Sequence, residues 1–448
     1  MNNFIPSSKV DKFIAVWKAG LLTSLRTHER NIVGNTAMAG FEIAKDPVAS
    51  IADTIMSWKT GKRTMTTTLQ GRGKGAVEGG KAAVDVVKLG FDPEDSISKF
   101  DINKVNWGDS KVGKFFQTYT EAVFRPLGAE DKVFFKSAYA GSLYDQAGAA
   151  ARNAGKKGNK AWIQNLVNNP TDEMKAIALK DANYATFHDR NTLTNIAANI
   201  KRAAQKAPGV WGEGGKLITE VFMPFTGVPS SIAAKTVAYS PLGLGKGIID
   251  AGKVVAGQVP ELQRQAAQEI GRGVMGTGLY GLGAYLVSKG LMTGQPKDEA
   301  ERQQWELEGK QANSVFINGK WRSINSVGPQ ALVLLAGAKY QQEMGEGGEG
   351  FGAFASGLAK DQLNQTFLAG VQQPLQAIND PSRYGKSYIG GQLSSLVPNI
   401  VKDTSKVFDT TARETDTGSM MGNIKTSVQS GIPVWRNQMT PEEIHLEI

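Results

Sequence analysis

The sequence predicts a mainly α fold: an extended multi-helix protein with one small β-hairpin near residues 314–324. Three observations predict it. Apolar residues recur at three- and four-residue spacing along much of the chain, as in Val10, Phe13, Ile14, Trp17 and Leu21. One stretch, Ser314–Ile324 (SVFINGKWRSI), alternates instead, and its Asn318-Gly319 pair is a two-residue type I′ turn signal. The 448 residues include 52 glycines and 17 prolines, with neither a triplet period nor serine-rich linker character.

Residues 9–56 read as helical, followed by a polar break (57–75) that is a loop or a weak helix. Helical period resumes at 76–90, and a turn-rich connector, FDPEDSISKFDINKVNWGDSK, leads to a third helical stretch from Lys111 to Asn153. Pro126-Leu127-Gly128 is expected to divide that stretch, because a proline inside a helix removes a hydrogen bond and clashes with the preceding turn. After a basic surface turn at 152–160, helices are expected at 160–168, after the cap Thr171, and at 191–206. The Thr171 cap is only box-like, since Glu173 stands two residues on rather than three. Past the hairpin, Gln330–Tyr340 is a short apolar helix and Glu343–Gly357 a glycine-rich hinge. The C-terminal third is helical, punctuated by Pro374, Pro381, Pro398 and Pro433. No repeat of fixed period is present. The organisation expected is an N-terminal helical region (1–110), a middle helical domain (111–210), glycine-rich apolar helices plus the hairpin (211–345), and a C-terminal helical region (346–448).

Composition excludes several chemistries. There is no cysteine, which removes thiol catalysis, thiolate zinc sites, iron–sulfur clusters and disulfides. Three histidines (His28, His188, His445) cannot build a histidine-rich metal centre. His28 lies among Arg26, Glu29 and Arg30 and reads as a surface or interface residue; His188, beside Asp189 and Arg190, reads as structural. Gly75–Ala82 (GAVEGGKA) matches the glycine–lysine part of a phosphate loop, but Ala82 stands where Ser or Thr must ligate magnesium, and no strand precedes it. It reads better as a helix rich in small residues. Glu94-Asp95 is an adjacent pair on a turn rather than an acid/base couple. No enzyme, cofactor or metal site is expected. The net charge of +9 is spread over modest clusters (Lys59, Lys62, Arg63; Lys156, Lys157, Lys160; Lys201, Arg202, Lys206). Such a distribution fits nonspecific contact with DNA or anionic lipid, and equally a merely soluble basic surface. Lys9, Asp11, Lys12 and Lys18 interrupt the apolar start, so a secretory signal is not expected.

Two segments are unusually apolar. In Leu217–Gly257, Pro224 and Pro229 interrupt any single helix. In Arg272–Gly294 the uncharged stretch Gly273–Ser288 falls short of the ~20 residues of a spanning helix. Gly273, Thr277 and Gly281, at i, i+4 and i+8, share one helix face and permit close backbone approach. Leu279, Leu282 and Leu286 fall opposite, with Tyr285 at the edge. Two readings stand: a buried, tightly packed helix of an α-helical assembly, or a segment that enters a membrane conditionally.

Several stretches, taken in order, resemble a known family. They are WKAGLLTSLRTHERNIVGNTAM (17–38), VFMPFTGVPSSIAAKTVAYSPLGLGKGIIDAG (221–252), GVMGTGLYGLGAYLVSKGLMTGQPKDEAER (273–302), SVFINGKWRSINSVGPQA (314–331) and VPNIVKDTSKVFDTTARETDTG (397–418), the last followed by Pro433-Val434-Trp435. Together they resemble the large polyvalent-protein-associated domains of tailed-phage internal virion (ejection) proteins. Some members of that family carry a lytic transglycosylase, and no such enzyme is recognisable here. The resemblance implies a bacteriophage virion protein of the capsid interior or portal core, released into the host periplasm or inner membrane to help form an oligomeric conduit for DNA. The partners implied are further copies of the chain, portal or core proteins of the virion, the host inner membrane and, nonspecifically, phage DNA. Two other classes remain open: a non-ejected portal-associated core or scaffold protein, and a nonspecific DNA-binding packaging factor.

Overall fold

The computed structural model describes residues 7–89, 105–192, 227–296, 298–325 and 327–345, with scattered positions at 195 and 199 and between 401 and 441. The described residues are mainly α-helical with one small antiparallel sheet, as the periodicity predicts.

The region expected to be helical at 9–56 holds two helices. α1 (Lys9–Leu22) starts on Ser8, whose Oγ accepts from the Asp11 amide at 3.0 Å. Thr23 and Ser24 then end it: the Thr23 hydroxyl turns back to the Gly20 carbonyl and the Ser24 carbonyl takes the Thr27 amide. α2 (Leu25–Thr60) runs on through Pro47. The polar break shrinks to residues 61–69, because α3 (Gln70–Leu89) begins earlier than its apolar pattern does. The reason is contact: Gly71, Gly75 and Gly79 lie against the backbone of α4 (Lys111–Asn153), and a Cβ on any of them would meet it at clashing distance.

α4 corrects a second expectation. It continues through Pro126 without division. A proline there costs ~3 kcal/mol in an isolated helix. Here Val123 and Leu127, on either side of it, are buried against Ala19 and Leu22 of α1, so tertiary burial holds the helix together.

α5 (Lys160–Asn168) and α6 (Asp172–Ala185) follow where expected, with the Thr171 hydroxyl accepting from the Met174 amide at 3.2 Å. After α7 (Gly227–Ala238) come α8 (Pro241–Val255), capped by Ser240, and the long α9 (Gln263–Ser288). A strand the sequence did not announce, β1 (Met292–Thr293), then pairs antiparallel with β2 (Ser314–Ile317), and β2 pairs with β3 (Lys320–Ser323). α10 (Glu299–Leu307) bridges β1 and β2. Asn318 and Gly319 have φ of 51° and 75°, both positive, as the type I′ turn requires. α11 (Pro329–Gly345) packs along α9, and a short α12 (Pro433–Arg436) lies near the C-terminus.

α9 is the hub: it lies against α2, α8 and α11, while α3 and α6 flank α4, which also meets α2. The apolar clusters sit in these seams. Ala49, Ala52 and Met56 of α2 meet Val254 of α8 and Ala266 and Ala267 of α9. Met38 of α2 meets Ile232, Tyr239, Leu332 and Val333. Among the described residues no helix is long and apolar enough to cross a membrane. Most of the helix expected at 191–206, the 217–226 part of the proline-rich apolar segment, all but the first residues of the hinge at 343–357 and most of the C-terminal region lie outside the described residues.

Candidate functional site

The proposed helix-packing residues divide. Gly273 is a point of close approach, but to Leu244 of α8 within the same chain. The Thr277 hydroxyl is spent on the Gly273 carbonyl at 2.8 Å. Gly281 has open space around it. The glycines of α9 that touch other helices are Gly271 (Lys45 and Ala49 of α2), Gly276 (Tyr239 and Ser240) and Gly283 (Leu334 of α11). Leu282 and Tyr285 are exposed, whereas Leu286 is half-buried against Met292 and Leu335. Asn318 and Gly319 form the hairpin turn, with open space around Gly319.

The phosphate-loop-like glycines are packing residues too, since Gly75 and Gly79 abut the Lys136 and Lys132 carbonyls of α4. His28 sits between α2 and α4 with its Nδ1 2.6 Å from Glu130 Oε1. Buried His188 has its Nδ1 2.9 Å from the Thr186 hydroxyl.

The concentration of chemistry lies elsewhere, in a buried ionic layer between α2, α3, α4, α6 and α9. Its first centre is Glu42. Tyr239 donates to its Oε1 at 2.7 Å, Arg272 donates through Nε at 2.8 Å and Nη2 at 3.1 Å, and Lys45 stands 3.3 Å away. Burial by itself raises a carboxyl, but Arg272 and Lys45 overcome it and hold Glu42 far below the usual carboxylate range. The same burial, with Glu42 adjacent, drives the Tyr239 hydroxyl well up. The Arg272 guanidinium carbon lies over the Tyr184 ring, 3.8 Å from its centre.

One turn along α2, Lys45 donates to Asp46 Oδ1 and Arg72 to Asp46 Oδ2, both at 2.7 Å. Toward α6, Arg264 donates to Asp181 at 2.7 Å and to the Ser142 hydroxyl at 3.1 Å, and Ser142 donates to Asp181 at 2.6 Å. Asp181 is lowered in turn: burial opposes, and Arg264 outweighs it. Asp53, wholly buried, takes Arg63 at 2.6 Å, Gln263 at 2.9 Å and the Thr64 amide at 3.1 Å, tying the 61–69 loop to α2 and α9.

A second pocket of charge surrounds Lys235 on α7. Its ammonium is fully buried, donates to Asp189 and Ser231, and lies 4.2 Å from the Tyr184 ring centre and 5.0 Å from that of Phe187. Burial pulls it down to about 8, against Asp189. A serine hydrogen-bonded to a lysine of lowered pKa is the kit of a nucleophile and its base. Ser231 and Lys235 are both at 0% exposure, however, so no substrate reaches them, and the pair serves packing.

The ionic layer ties helices together: Glu42, Asp46, Asp53 and Asp181 each meet a cation, which is the condition for tolerating buried ions. Among the described residues no cluster of His, Asp or Glu could hold a metal ion. Sequence reasoning missed this layer because its partners stand as far apart as Glu42 and Arg272, each looking like an ordinary surface charge locally. The available signal was weak: Glu42, Lys45 and Asp46 lie on the turn of α2 that follows Met38 and Phe41, on its apolar side. No family model, curated protein or solved structure matches the chain.

Proposed function

We propose that the chain is an internal virion protein of a tailed phage, ejected into the host envelope, where copies help form a conduit for the genome. The observation that carries this reading is the order of the resembling stretches along the sequence. Their placement supports it. Met38 from the first stretch, Ile232 and Tyr239 from the second, Met275, Leu279 and Tyr280 from the third, and Leu332 just past the fourth gather in one apolar cluster. Segments that share a resemblance thus share a core, as parts of one functional unit would. The absence of cysteine and helix contacts made by glycine suit a chain that must loosen to pass a narrow portal and then reassemble.

In this reading, membrane contact by the described residues does not use a spanning helix. It falls to exposed apolar side chains, among them Ile248 and Ile249 of α8 and Leu282 and Tyr285 of α9. Mass spectrometry of purified virions before and after DNA release tests the proposal. The chain is expected in intact particles and depleted from emptied ones; its complete retention in emptied particles ends the ejection reading. Flotation of the full chain with phosphatidylglycerol vesicles tests the membrane contact, which fails if no chain floats at low salt.

A further inference from the structure

One carboxylate of the ionic layer has a buried oxygen that accepts no hydrogen bond. Asp145 of α4 is 3% exposed, its Oδ1 receives no hydrogen bond, and its backbone carbonyl takes the Thr66 hydroxyl at 3.0 Å. The charges that face it come from every side. Lys45 and Asp46 face it from α2, Arg72 from α3 and Arg264 from α9. From α6, Asp181 is held by Arg264 and Ser142, and the adjacent Tyr144 donates to the neutral Gln164 of α5.

The cations are already committed. Lys45 and one Arg72 nitrogen are on Asp46, and the Arg264 terminal nitrogens are on Asp181, Ser142 and the Thr64 carbonyl. The Arg72 and Arg264 Nε atoms are buried without partners. Asp145 therefore feels their field without accepting a hydrogen bond from them at Oδ1, while the Asp46 carboxylate repels it.

We propose that Asp145 is a proton-holding site of the folded chain, and that loss of its proton loosens α4 from the α2–α3–α9 layer, making this seam a pH-sensitive latch. The direction follows from linkage. Burial first, and the Asp46 carboxylate next, push the Asp145 carboxyl up to about 8, against Arg264, Arg72 and Lys45. In the unfolded chain the same group titrates near ~3.9. Between those values the folded state binds more protons than the unfolded one, so stability falls as pH rises. Above about 8 the effect is complete. Asp181 and Glu42 work in the opposite sense: their contributions are lost in acid. None of this depends on release from a virion.

The test is thermal unfolding of the full chain and of Asp145→Asn between about pH 5 and about pH 8. The substitution keeps the shape and removes the titration. The midpoint of the parent chain is expected to fall relative to that of the variant at each step upward in pH, with the gap closing toward about pH 4. Lys235 is present in both chains and cancels. Parallel midpoint curves overturn the proposal. Should Asp145→Asn fail to fold, calorimetry of the parent chain at about pH 7, in buffers of different ionisation enthalpy, reads the same event. Unfolding is expected to release close to one proton, and zero release, or uptake, overturns the latch.

Discussion

Two helices carry small residues at i, i+4 and i+8, and the spacing meets two fates. In α3, Gly71, Gly75 and Gly79 all lie against α4; in α9, of Gly273, Thr277 and Gly281, Gly273 is pressed on a neighbour and Gly281 faces open space. The difference is in the partner. α4 runs antiparallel to α3 for its whole length, from Tyr144 beside Gly71 to Gly128 beside Val86, so one straight stripe meets one straight helix. α9 has three partners in succession, and its contact points rotate from α2 at Gly271, to α8 at Gly273, to the α7–α8 corner at Gly276, to α11 at Gly283. Spacing defines a face; the number of partners decides whether the face is used as a whole.

The comparison can be sharpened by substitution. The largest effect is expected where α9 is fixed by charge rather than by glycine. Arg272→Met leaves Glu42 buried with Lys45 as its remaining cationic partner and should cost about 3–5 kcal/mol by urea denaturation. In the parent chain the stabilisation from ionised Glu42 is present above its unfolded value of ~4.3 and is lost as pH falls through its lowered folded value. That acid loss should shrink in the variant, and an unchanged acid limb would show that Arg272 is not what holds Glu42 ionised.

Next in size is the stripe that is used. Gly75→Val drives a branched side chain into the Lys136 carbonyl and the Ala140 methyl group, and overpacking of this kind should cost ~1–3 kcal/mol or more. A fully stable Gly75→Val chain would mean that α3 is free to shift on α4. The smallest effect is expected at Gly281, where added side-chain atoms meet open space: Gly281→Leu should leave stability unchanged or raise it by up to ~1 kcal/mol through helix propensity. The same variant also reads assembly. Light scattering should show smaller oligomers if copies of the chain meet at this open face, and unchanged size would assign assembly elsewhere.

What could be read in advance was local. The Asn318-Gly319 turn, the Thr171 cap and the amphipathic periods of α1 and α4 depend on residues close in sequence, and each is found where expected. Pro126 misled because the rule against helix-internal proline holds for a helix in water, whereas Leu127 and Val123 are clamped by α1. β1 was invisible because two residues carry no period, and their strand exists through its pairing with Val315 and Ser314. The ionic layer was harder to read: only its place on the apolar side of α2 separates Glu42, which is buried, from Glu78, which is exposed, and its partner Arg272 is 230 positions away.

The Glu42–Arg272 pair, 230 positions apart, also bears on the order in which the molecule is built. Its closure must wait for the chain between to condense, since long-range contacts return nothing until their loop is shut. The β2–β3 hairpin, with its two-residue turn, and the α3–α4 pair close over far shorter distances. By this argument the seams that join α2 to α9 and to α11 are expected to close after these nearer pairs. Both sides of the α2–α9 seam carry charge, Glu42 on one and Arg272 on the other, so water that enters it solvates groups that are paired only while it is shut.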